Sequence, residues 1–184
     1  MRSLQNAYVQ HETARRRVNT LSSEALNVSK RAIFSLHRAD QKTAQAQLKE
    51  AEERLRAAEG IMKKNPSLQY EGVYPSALEE HAEAHLFLSY LKRGKWVQPP
   101  ARCQRADVLI GGLSDYTGEL VRYAVKQATA HDHKAVARAH AEVEAVVGML
   151  LQLDLTGNLR QKFDQAKRNL RQMEQIAYEL SIRS

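Results

Sequence analysis

The sequence predicts an all-α protein, an antiparallel bundle of about six or seven long helices. Gly and Pro number only 8 and 4 in 184 residues, roughly half their usual share of about 12%, which leaves too few turns for a sandwich or barrel. Apolar residues recur at steps of three and four through nearly the whole chain, and no period-two alternation competes with that pattern. A composition of 43% hydrophobic and 27% charged residues supplies a core and solvated outer faces, and excludes wholesale disorder. The length fits one domain over residues 1–184,.

The first helix is expected from about residue 3 to 38, because Val18, Leu21, Ala25, Val28 and Ala32 fall on one face. The second covers about 40–64, with Leu48, Ala51, Leu55, Ala58 and Met62 as its apolar stripe. Pro66 ends it, since the residue before a proline is pushed out of the helical region. The stretch KNPSLQYEGVYP reads as a loop, and Pro75 suits the first turn of a third helix reaching about Leu91. Gly94 and Pro99-Pro100 mark the next connection. A fourth helix runs from about Ala101 or Ala106 to His131, with Gly111-Gly112 as a point of bending. A fifth follows over about 133–152. The last, about 158–182, repeats Leu159, Phe163, Ala166, Leu170, Met173, Ala177 and Leu180 at steps of four and three. Stripes this long predict burial against further copies of the chain as well as within one bundle.

Charge and cysteine usage narrow the function. There are 28 Lys and Arg against 21 Asp and Glu, a net charge of +7, and the sequence pI is about 9.6. A polyanion such as nucleic acid, or an anionic membrane surface, is the partner this favours. Cys103 is the only cysteine, which excludes a disulfide framework and a Cys-rich zinc site. The opening MRSLQNAYVQHETARRRV lacks the apolar segment of a signal peptide. No apolar run approaches the roughly 18–20 residues of a membrane span, so a cytoplasmic protein with no membrane partner is expected.

Two segments place acids where they can act together. In LEEHAEAHLFL, Glu80 and Glu83 are three apart; in GLSDYTGELVR, Asp115 and Glu119 are four apart. Either spacing puts both carboxylates on one helical face. If the two helices pack antiparallel, four carboxylates converge and must take up protons or bind cations. All-oxygen ligands suit Mg²⁺ or Mn²⁺, which can support phosphodiester cleavage. The alternative is four acids on solvated helix surfaces. His81 and His85 are also four apart, but HAEAH has neither the His-Glu-x-x-His order of zinc proteases nor the Glu-x-x-His of diiron bundles. Packing, or support of ligands from behind, is the expected role of both histidines. Gly-rich phosphate loops, Ser-His-Asp order and nucleophile elbows do not occur. Basic residues gather at Arg15, Arg16 and Arg17, at Lys30, Arg31 and Arg38, and on the last helix at Arg160, Lys162, Lys167, Arg168 and Arg171. They read as phosphate contacts along a strand or as solvated faces.

SKRAIFSLHR, LEEHAEA, GLSDYTGELVR and LRQKFDQAKRNLRQMEQIAYELSIR occur in the order seen in the translin/Trax family, which the chain resembles over nearly its full length. The resemblance implies an all-α fold assembled into a hollow octamer that binds single-stranded RNA and DNA. Glu80, Glu83, Asp115 and Glu119 match the acidic set of the Trax metal-dependent endoribonuclease site one for one, a set translin lacks. By that resemblance the chain is Trax-like, cleaves single-stranded RNA with Mg²⁺ or Mn²⁺, uses one of these acids as general base, and treats duplex RNA as a poor substrate. Lys30, Arg31 and Arg160 match basic positions of the family, with Arg160 at one assigned to RNA binding. His81 replaces an aromatic residue. A homo-octamer of the prokaryotic kind is the assembly implied, and a non-catalytic, translin-like nucleic-acid-binding oligomer is the alternative.

Overall fold

A computed structural model describes residues 1–182; Arg183, the end of the YELSIR block, lies outside the described residues. Six α-helices follow one another: α1 Arg2–His37, α2 Gln41–Met62, α3 Tyr74–Arg93, α4 Ala106–Thr129, α5 His133–Leu151 and α6 Gly157–Ser181. Two short 3₁₀ turns, Pro66–Tyr70 and Ala101–Cys103, fill the connections on either side of α3. Among the described residues there is no strand. No described helix is long and apolar enough to cross a membrane.

The chain divides into two compact units, Met1–Ala84 and His85–Ser184, and the boundary falls inside α3. In the first unit α1 and α2 pack along each other. The predicted stripes are the ones buried: Val18, Leu21, Ala25, Val28 and Ala32 face Leu48, Ala51, Leu55, Ala58 and Met62 across that hairpin. Each large aliphatic side chain removed from water there contributes about 1.5–3 kcal/mol. Polar bonds fix the register, with Ser35 Oγ donating to Gln47 Oε1 at 2.9 Å and Arg54 pairing with Glu24 at 3.0 Å.

The segment after α2 is more ordered than a plain loop. Pro66 stands at the first position of its 3₁₀ turn, where a missing N–H costs nothing, and Leu68 is buried. Gly72 then takes φ +61°, and a Cβ there would collide with the Asn19 side chain of α1, so only glycine fits. Asn19 Oδ1 accepts the Val73 N–H at 3.4 Å, and Tyr74 Oη bonds Glu59 at 3.1 Å. These contacts fix where α3 begins.

The second unit is built on α4, α5 and α6, each packed on the other two. Phe163, Ala166 and Met173 of the α6 stripe are buried, whereas Leu159, Leu170, Ala177 and Leu180 are half-buried. Asn169 takes a buried place that the apolar pattern did not reserve for it. Its Nδ2 donates to Thr117 Oγ1 of α4 at 2.8 Å, while its Oδ1 accepts from Gln165 at 3.0 Å. Both groups are thereby satisfied, which burial requires. Gly111 and Gly112 lie inside α4, both buried. Glu142 of α5 accepts the Trp96 N–H at 2.6 Å and the Tyr116 hydroxyl at 3.1 Å, tying the connection after α3 to this unit. Burial holds the Tyr116 phenol far above its ordinary range, and the Glu142 charge adds to the effect. Tyr116 is therefore a neutral hydrogen-bond donor.

Candidate functional site

Glu80 and Glu83 belong to the first unit. The first half of α3 is tied to α1 at adjacent residues. Ser29 Oγ lies 3.4 Å from His81 Nδ1, and Lys30 Nζ lies 4.0 Å from Glu80 Oε2. Ser29 and His81 are wholly enclosed. Glu83 is only 7% exposed. A carboxylate so far removed from water is costly unless paired, hydrogen-bonded or coordinated. His85 lies at the start of the second unit, beside Ser89, Lys92 and Arg93 in a cavity of about 160 Å³.

Asp115 and Glu119 belong to the second unit, one turn apart on α4. Lys162 of α6 reaches Asp115 Oδ2 at 2.5 Å, a short charge-assisted contact. The Asn169–Thr117 bond joins the same two helices, two residues on from Asp115 along α4 and seven on from Lys162 along α6. That buried bond is a second polar tie between α4 and α6. Arg122 stands 3.8 Å from Glu119. Each of Glu80, Asp115 and Glu119 therefore has a basic side chain beside it. Among the described residues, no group of three or more His, Cys, Asp or Glu is arranged to hold a metal ion. Within each unit the donors are carboxylates, the chemistry that suits a hard divalent cation.

The basic residues fall into two kinds. Arg16, Arg17, Arg31 and Arg38 are exposed. Arg15 bonds Glu12 at 3.0 Å, and that carboxylate raises its pKa. Arg160 pairs with Asp164 at 3.3 Å; Lys167 and Arg160 together keep the Asp164 carboxyl below its ordinary range. Both arginines are exposed and surface pairs of this kind contribute little, so a phosphate can replace either carboxylate at little cost. Two partners of the acids escaped the sequence-based assignment. Arg122 was legible as an i,i+3 neighbour of Glu119. Lys162 required the pairing of α4 with α6.

Among solved structures, the chain is similar to apo-NeC3PO, with a TM-score of 0.86 and 21% identity over 96% of this chain and 94% of that one. It is also similar to AfC3PO, at a TM-score of 0.86 and 21% identity over 99% and 98% of the two chains. A complex of AfC3PO with duplex RNA gives a TM-score of 0.85 and 21% identity over 99% and 97%. Identity at this level speaks for the fold. No curated protein matches the chain. The translin family matches residues 13–184, and the chain belongs to that family.

Proposed function

We propose that the chain is a Trax-like endoribonuclease that binds and cuts single-stranded RNA with Mg²⁺ or Mn²⁺. The observation that carries this reading is the pair of acidic doublets, Glu80 with Glu83 and Asp115 with Glu119, in a member of the translin family. Buried Glu83 supports it, because a solvated-surface role leaves that burial without a purpose. The four carboxylates would hold the metal. When bound, such a cation neutralises charge on a phosphodiester and lowers the pKa of water.

This chain's own residues supply the rest. One of the acids accepts the proton of the attacking water. Arg15, Arg16, Arg17, Lys30, Arg31, Arg38 and Arg160 hold the strand by its phosphates, which positions RNA without reading its sequence. Cleavage is therefore expected to be weakly sequence-specific. Single-stranded DNA offers the same phosphates and would bind as well. A homo-octamer is the assembly proposed.

The test is cleavage of labelled single-stranded RNA in Mg²⁺, Mn²⁺ and EDTA, with wild type beside Glu83→Gln. Metal-dependent cutting that disappears in Glu83→Gln while RNA binding persists is the expected result. Tight binding without cutting in either metal would overturn the enzyme and leave a translin-like binding protein. AfC3PO forms a complex with duplex RNA, which favours including a duplex of the same sequence. Equal affinity for both forms would replace the single-strand preference with general RNA binding.

A further inference from the structure

Phe34 is out of place by the logic that buries the rest of α1. It is 52% exposed, between Ile33 and Ser35, which are both buried. On a helix its neighbours are the residues three and four away: Lys30 and Arg31 before it, His37 and Arg38 after it. His37 is buried; Lys30, Arg31 and Arg38 are exposed cations, and the Arg38 guanidinium lies 5.9 Å from the Phe34 ring centroid, within cation–π range. The row Lys30–Phe34–Arg38 follows a single i,i+4 ridge, with Arg31 flanking it.

We propose that this ridge is a stacking platform, on which Phe34 receives an unpaired base while Lys30, Arg31 and Arg38 hold the phosphates on either side. A bare basic face would attract any polyanion equally. An exposed aromatic among the cations adds an interaction available only to a base freed from pairing. Charge complementarity selects nucleic acid as the occupant, and the ring selects its single-stranded form. The inference rests on the RNA-binding reading above and specifies how the strand is distinguished from a duplex.

The experiment measures affinity at fixed salt for labelled oligouridine and for an abasic oligomer of equal length, with the assembled protein. Wild type, Phe34→Leu and Phe34→Tyr are compared, and light scattering follows the molar mass of each. Phe34→Leu is expected to weaken oligouridine binding about five- to fiftyfold, leave abasic binding unchanged, and recover with Phe34→Tyr. Equal loss on both oligomers, or no loss on either, would overturn the platform while leaving RNA binding intact. A fall in molar mass with Phe34→Leu would overturn it in favour of a contact between copies. If wild type binds neither oligomer, the RNA-binding reading fails first, and the platform with it.

Discussion

Lys162 is 20% exposed and Asp115, the carboxylate it meets, 36%. The cation of the pair is thus the more enclosed partner, held against a carboxylate that solvent can reach. A divalent ion taken up by Asp115 must compete with that ammonium, because one carboxylate oxygen cannot serve both at short range. Lys162→Met keeps the length and apolar stem of the side chain and removes the competitor. Mn²⁺ affinity, read from loss of the free-ion electron paramagnetic resonance signal, is expected to rise about three- to tenfold, as for one charge at a partly exposed position. Unchanged or weaker Mn²⁺ binding in a variant that melts like wild type would show that Lys162 supports the site. Single residues of this kind were the hardest to read in advance. Glu80, Glu83, Asp115 and Glu119 stood out because their spacing is local to one helix. The Asp115–Lys162 and Thr117–Asn169 contacts join residues 47 and 52 apart in sequence, and depend on a helix pairing that no local pattern encodes.

The helices themselves were legible almost to the residue, since stripes at steps of three and four and a few prolines and glycines define both faces and ends. The tight turns were not, because both use a residue that gives no signal. After α1, the Asp40 N–H reaches the Ser35 carbonyl at 3.0 Å and the Ala39 N–H reaches Leu36 at 2.9 Å. After α4, the Asp132 N–H reaches Gln127 at 2.9 Å and the His131 N–H reaches Ala128 at 3.0 Å. Both are Schellman endings, whose left-handed position usually carries glycine; here Ala39 has φ 62° and His131 φ 59°. The following aspartate caps the next helix, Asp40 accepting from Thr43 N at 3.0 Å and Asp132 from Ala135 N at 2.9 Å. Left-handed geometry costs a side-chain-bearing residue about 1–2 kcal/mol, partly offset by glycine's greater freedom when unfolded. Ala39→Gly and His131→Gly are each expected to stabilise by about 0.5–1 kcal/mol, measured as a higher urea midpoint at constant slope. The Asp40 cap also sets a pH dependence. The Thr43 N–H, with the Thr43 side chain, holds its carboxyl below the ordinary range, so the folded state binds that proton less readily than the unfolded chain. The stabilisation is complete above the ordinary carboxylate range and is lost as pH falls through the depressed value. Asparagine caps without titrating. The melting-temperature gap between wild type and Asp40→Asn is therefore expected to narrow on acidification over about pH 5 to 2; a constant gap would show that the charge of Asp40 is immaterial to the cap.

At the scale of the whole molecule, the open question is what covers the beginning of α1. Residues 1–10 are exposed throughout, although Leu4, Tyr8 and Val9 are large apolar side chains exposed by 76%, 65% and 61%. Leu4 and Tyr8 are one turn apart and share a face. The core of the first unit starts only at Val18, four turns into the helix, so this arm has no apolar partner within its own hairpin. Covering such a face with a second copy removes on the order of 1.5–3 kcal/mol of exposure per large side chain, and a closed ring of copies repeats that gain at every contact. The arm is therefore expected to be an assembly contact of the proposed octamer. Light scattering is expected to give about eight times the 20.9 kDa chain mass,, and the double variant Leu4→Asp, Tyr8→Asp to give a much smaller species with unchanged helical content. An octamer that survives both charges would move the contact elsewhere. A wild-type mass near that of one chain would remove the octamer, and with it this role for the arm.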